Sequence, residues 1–288
     1  MHRAAGRSGG GGSVRRRGQV GSESVGRGGF VAAGIVLLAL LVAGPGRADW
    51  SVYIAPGLGI SRAIVDSDGA EQTTPIRFRG DDNDSSPALA LAVGLEVPMD
   101  ELVPREWLLD VRLPRWPLRV ELEASGLREY EFRTDTTGQD DFFSEINVTT
   151  TFVNFWVDIP LVSVYRPVQY VFGLGRQPRV RRWLEPASLY LGGGVGFSAV
   201  EVDSTSNVLS AKDDLIDFAG NIGAGVNYDL TDRVALSLGY RFVGLPDQTF
   251  DLEGGAGNND EVDYQNWEVH EFRFAVKIRV WEFRSPWR

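Results

Sequence analysis

The sequence predicts an all-β chain closed into an eight-stranded antiparallel up-and-down transmembrane barrel, with ten strands as the alternative count. Three features carry that expectation. Apolar residues recur at every second position in runs spread from Trp50 to Val280, the period of a strand with two unlike faces. The rank between them is rich in Gly, Ala, Ser and Asn, whereas a water-facing rank is usually rich in Lys, Glu and Thr. Small residues suit a narrow lumen, where bulky side chains collide across the axis. An apolar leader also precedes the first run, so the chain is expected to be exported.

Residues 1–29 are basic and Gly/Ser-rich, Phe30 to Val42 is continuously apolar, and Gly46-Arg47-Ala48 offers small residues for signal peptidase. Residues 1–48 are therefore expected to be a cleaved signal peptide and 49–288 the barrel domain. The apolar run is shorter than the roughly 20 residues of a spanning helix. No later stretch approaches that length without a charge. A mature chain in lipid then has only the closed barrel available, because every backbone group must be satisfied internally.

The strands follow in order. In Trp50 to Ser61, Trp50, Val52, Ile54, Leu58 and Ile60 oppose Ser51, Tyr53, Ala55, Gly57, Gly59 and Ser61. In Ala88 to Val97 the leucines and valines oppose Ala88, Ala90, Ala92, Gly94 and Glu96. Leu118 to Phe132 sets Leu118, Val120, Leu122, Ala124, Tyr130 and Phe132 against Arg119, Glu121, Glu123, Ser125 and Glu129. Thr149 to Ile159 sets Val153, Phe155 and Val157 against Asn154, Trp156 and Asp158. Ser188 to Val200, Asp217 to Asp229 and Val234 to Val243 repeat the rhythm over Gly-rich inward ranks. The last run sets Phe272, Phe274, Val276, Ile278 and Val280 against Glu271, Arg273, Ala275, Lys277 and Arg279. Each covers the roughly 9–11 residues of a tilted membrane strand. Trp50, Tyr130, Phe132, Trp267 and Trp281 lie near run ends and are expected in the interfacial aromatic girdles.

With both termini in the periplasm, the outer connections are 61–87, 133–148, 201–216 and 244–266, all strongly acidic. They are expected to be surface loops. The inner connections 98–117 and 160–187 are long for periplasmic turns. They contain Trp107, Leu108, Leu109 and Val168, Tyr170, Phe172, which reads either as amphipathic elements at the inner membrane surface or as an extra strand pair.

The inward phase gathers charges of both signs. The expected polar network comprises Glu96, Arg119, Glu121, Glu123, Asn154, Asp158, Arg241, Glu271, Arg273 and Lys277, with Arg279 in the same phase. Mutual pairing is the best arrangement for ions that cannot reach bulk water.

From Ser188 onward, "LYLGGGVGFS", "FAGNIGAGVNYDLTDRVALSLGYRF" and "HEFRFAVKIRVW" resemble the last strands of opacity-type and OmpA-like outer-membrane β-barrel domains. The Glu-rich "LRVELEASGLREYEF" and the inward Asn154 and Asp158 extend the resemblance. Such a family implies an eight-stranded monomer inserted by the barrel-assembly machinery, with roles from envelope structure to adhesion. The chain departs from its terminal-aromatic pattern by continuing past Trp281 to Arg288.

Other chemistries find little footing. Without cysteine there is no disulfide or thiolate site. A net charge of -10 argues against nucleic acid. The histidines are His2 and His270, and the second falls in the apolar phase, which suits a girdle residue better than a general base. Asp66-Ser67-Asp68-Gly69 and Asp81-Asp82-Asn83-Asp84 offer oxygen ligands without the full calcium-loop pattern. No catalytic, cofactor or metal site is therefore assigned. The expected function is a non-enzymatic integral outer-membrane barrel with an envelope-structural or adhesin-like surface role. A low-conductance small-solute channel is the first alternative and a lipid-modifying barrel enzyme the second. The expected partners are the lipid bilayer and lipopolysaccharide, with the insertion machinery during assembly.

Overall fold

The computed structural model describes residues 50–70, 77–102, 114–134, 142–171, 178–205, 209–245, 248–254 and 259–283. The leader falls outside these, as do Trp107, Leu108, Leu109 and Phe172. The strands are β1 (Trp50–Ala70), β2 (Arg77–Pro98), β3 (Pro117–Thr134), β4 (Phe142–Pro160), β5 (Ala187–Thr205), β6 (Leu209–Asp229), β7 (Val234–Gly244), β8 (Gln248–Gly254) and β9 (Asn259–Phe283). Neighbours in sequence pair antiparallel from β1 to β7, β9 follows β7, and β9 pairs back on β1 to close the sheet. β7 and β8 both pair with β9 and both neighbour β6. They are two lengths of one wall strand, so the closed barrel has eight strands.

The extra strand pair is absent from the described inner connections, which fold as helices instead. These are α1 (Met99–Leu102), α2 (Leu161–Val171) and α3 (Pro178–Leu184). The reason is periodicity: Leu161, Val164, Tyr165 and Val168 recur at helical spacing, and a two-residue rhythm is missing there.

The outer connections differ from the expectation of long loops. β1 has 21 residues and β9 has 25, against the roughly 9–11 that cross a bilayer. Most of what reads as acidic loop is wall. Asp66 pairs with Asp81 and Asp68 with Arg79 in the β1–β2 ladder, so both calcium-like segments lie in paired strand.

The wall exchanges the character of its two faces part-way up. In the lower half the outward rank is apolar: Leu58, Ile60, Leu89, Leu91, Phe155, Phe218, Leu238 and Phe272 are all well exposed. Higher up, Arg62, Asn83, Glu131, Glu145, Glu201 and Glu268 take the outward positions. The inward rank changes in the opposite sense. Ser61 is followed by Ala63 and Val65, and Glu271 is preceded by Val269 and Trp267. These inward residues join Tyr130, Phe132, Ile146, Val148, Phe152, Val200, Val202, Ala219, Val243 and Leu245 in one buried apolar cluster. The lower half is thus built for lipid outside, and the upper half is built for water outside with its own hydrophobic core.

On β3 the exchange is helped by a bulge. The β3–β4 register shifts between Ser125 and Arg128, and Leu127 adopts φ 61. The added residue reverses inside and outside for the rest of the strand. Arg128, Tyr130 and Phe132 therefore point inward and Glu129 and Glu131 outward. The girdle expectation fails for Tyr130, Phe132 and Trp267, which are at most 4% exposed inside the barrel. Trp50 and Trp281 do lie at the inner rim, where Trp50 stacks on Phe283 with centroids 4.2 Å apart and Trp281 is 61% exposed.

Candidate functional site

The lumen below the apolar cluster holds the protein's concentration of buried charge. Successive inward positions on β3 supply Arg119, Glu121 and Glu123, because residues two apart share a face. β4 adds Asn154, Trp156 and Asp158, and β9 adds Glu271, Arg273, Lys277 and Arg279. The glycine-rich inward ranks of β5 and β6 leave room for these long side chains. At Gly194 an added Cβ would stand 2.1 Å from Asn154 Oδ1, and at Gly239 on β7 it would stand 1.8 Å from Tyr190 Oη.

The charges form two clusters. In the lower one Lys277 Nζ donates to Glu96 at 3.0 Å, and Arg279 reaches the other Glu96 oxygen at 3.5 Å. Arg119 joins Asp158 at 2.9 Å and Glu121 at 2.6 Å. Tyr53 Oη also donates to Glu121, as does Trp156 Nε1 at 2.8 Å. Asn227 donates to Asp158 at 3.1 Å. In the upper cluster Arg241 bridges Glu123 at 2.7 Å and Glu271 at 2.5 Å. Arg273 holds the second Glu123 oxygen at 2.8 Å, and Arg128 holds the second Glu271 oxygen at 2.5 Å. Asn221 donates to Asn154, which donates in turn towards Glu123. Between the clusters lies a cavity of about 50 Å³, bordered by Arg119, Trp156 and Tyr190 on one side and Glu123, Arg241 and Arg273 on the other.

All ten residues expected in the lumen are therefore brought together there. Each of Glu96, Glu121, Glu123, Asp158 and Glu271 has a cation within 3.0 Å. A carboxylate so paired is a poor general base, and the arrangement favours holding the wall strands together. Sequence reasoning missed Arg128 and Tyr53. A signal for Arg128 exists: it falls in the apolar rank of β3, directly after Gly126-Leu127, where a charge facing lipid is untenable.

His270 lies in the outward rank of β9. Its Nδ1 is 2.5 Å from Tyr240 Oη and its Nε2 is 3.8 Å from Glu268. Phe242 packs edge-on against the ring, with centroids 5.4 Å apart. This is the setting of a girdle side chain in an aromatic patch.

The profile of the outer membrane protein beta-barrel domain family matches residues 106–271. The chain belongs to that family. It is an integral protein of the bacterial outer membrane. An uncharacterized protein of Brucella abortus (strain 2308) is 32% identical over 132 residues, covering 42% of this chain and 37% of the relative. A Brucella suis biovar 1 (strain 1330) protein, also uncharacterized, matches to the same extent. The chain thus spans little more than a third of the length of the curated relatives it matches. Among solved structures, the outer membrane protein OprG from Pseudomonas aeruginosa is 15% identical, with TM-score 0.45 over 82% of this chain and 99% of that one. Neisserial surface protein A is 12% identical, with TM-score 0.38 over 80% and 98%. The outer membrane protease OmpT from Escherichia coli is 9% identical, with TM-score 0.33 over 82% and 97%.

Proposed function

We propose that this outer-membrane barrel is a closed, non-enzymatic surface protein. Its acidic extension beyond the bilayer makes the contacts, and its lumen serves as a structural strut. The observation that carries the reading is the filling of the interior at two successive levels. Paired ions occupy the membrane-level lumen, and a packed apolar cluster with members at 0–8% exposure closes it above. An aqueous path for solutes would have to cross both. The extension, whose outer face is polar, is the part that a partner or lipopolysaccharide sugars would meet. Export by a cleaved leader at 1–48 and insertion by the barrel-assembly machinery belong to the same reading.

Planar-bilayer recording of the refolded full chain tests it. The expected trace stays at baseline in 1 M salt. Large, stable, ion-selective steps would establish the channel alternative instead. The enzymatic alternative is tested by comparing outer-membrane lipid composition with wild-type and His270→Ala chains. The expected result is no difference.

A further inference from the structure

The inner connection between β4 and β5 builds helices where a barrel of this kind needs only a turn. Within α3, Arg179, Arg181, Arg182 and Trp183 are all exposed, the indole at 71%. Pro178 opens the helix, a position that suits its fixed φ and missing N–H. The adjoining carboxylate, Glu185, is 3.8 Å from Arg181, and both side chains are more than half exposed. Such a pair is weak in water, so the positive charge of the helix stays largely uncompensated. A largely exposed tryptophan beside three guanidinium groups is a poor surface for bulk water. It is a good one for a phospholipid interface, where tryptophan places its apolar body among glycerol and acyl carbons and arginines meet phosphates.

The place of α3 in the chain fixes which interface this is. Only Glu185 and Pro186 separate it from β5, where Leu189 and Leu191 already face outward at 41% and 51% exposure. The helix is therefore tethered at the rim where the lipid-facing belt begins. The exposed Trp281 and Phe283 mark the same end of the barrel.

We propose that α3 is a headgroup-binding foot. Arg179, Arg181 and Arg182 take the phosphates of anionic phospholipids in the inner leaflet of the outer membrane, and Trp183 beds at the glycerol level. The inference rests on the barrel residing in that membrane and is independent of whether its lumen conducts.

The full chain, folded in mixed micelles holding equal amounts of phosphatidylglycerol and phosphatidylcholine, is examined by native mass spectrometry for retained lipid. Wild type is expected to retain phosphatidylglycerol by about tenfold over phosphatidylcholine, in line with the attraction of clustered arginines to anionic lipid. The Arg179→Gln/Arg181→Gln/Arg182→Gln variant is expected to fall to near parity with unchanged heat-modifiable gel migration. Arg115→Gln, at an exposed inner-end arginine, is expected to keep the preference. A preference that survives the triple substitution, or none in wild type, overturns the proposal. A second measurement guards against altered folding. The sequence has no cysteine, so Leu184→Cys carries a single environment-sensitive dye. Its emission is expected to shift blue in phosphatidylglycerol vesicles relative to phosphatidylcholine ones. An unchanged spectrum, the outcome if α3 instead docks a soluble periplasmic protein, also overturns the proposal.

Discussion

Arg241 is the residue on which the upper charge cluster turns. It is 2% exposed and satisfies carboxylates from two other strands, Glu123 on β3 and Glu271 on β9. Arg241→Met is expected to leave these acids short of a partner and cost about 3–5 kcal/mol, read from the urea midpoint of the protein refolded in vesicles. Arg279→Gln removes one of two cations on Glu96, which Lys277 still holds, and a pairing with the half-exposed Asp229, and should cost about 1 kcal/mol. Glycines divide in the same way. A Cβ at Gly196 would stand 1.9 Å from the Thr151 carbonyl oxygen, and only backbone movement relieves that. At Gly126 the nearest atom is Thr149 Oγ1 at 3.5 Å, an ordinary contact. Gly196→Ala is therefore expected to lower the folded fraction on heat-modifiable gels and Gly126→Ala to leave it unchanged. The lumenal charges were legible because parity assigns a face to each residue of a strand. Arg128 is hidden in the sequence because the bulge breaks the parity of β3, and Tyr53, although in the lumenal rank of β1, carries no charge to mark it as a partner of Glu121.

At the scale of elements, the bulge on β3 is the device that lets one strand serve both storeys. Deleting Gly126 and Leu127 together removes the spacer between inward Ser125 and Arg128, and is expected to turn Arg128, Tyr130 and Phe132 outward and drive Glu129 and Glu131 into the apolar cluster. Limited proteolysis from the outer side should then cut the upper wall while the membrane-level barrel stays resistant. Trp267→Ala tests the cluster without touching register. The expected cost is about 3–5 kcal/mol, the usual range for emptying a buried tryptophan, with protease sensitivity again confined to the extension. Periodicity reveals the membrane portions of the strands because lipid demands an unbroken apolar rank. The extensions were hidden because their inward rank is apolar only above Ser61 while acidic residues crowd the outward rank, a mixture that reads as loop. Among the described inner connections, the helices of 160–187 are legible as amphipathic stretches, with the extra strand pair as the alternative reading of the same residues.

For the molecule as a whole, the two solvents explain the division into storeys. Hydrocarbon around the lower wall requires polar groups to turn inward and pair, and water around the upper wall permits an ordinary hydrophobic interior. The sequence carries this as one alternating rhythm whose apolar rank changes sides, a change that composition averages away. β5 offers the most direct test, since Val200 is 0% exposed and its neighbour Glu201 is exposed. With no native cysteine, Val200→Cys and Glu201→Cys each provide a single thiol for a water-soluble maleimide applied to the folded, membrane-inserted protein. Rapid labelling at 201 and protection at 200 until the barrel is unfolded is the predicted result. Comparable labelling at both positions would mean a water-filled upper lumen, and the account of a closed, two-storey barrel would be contradicted.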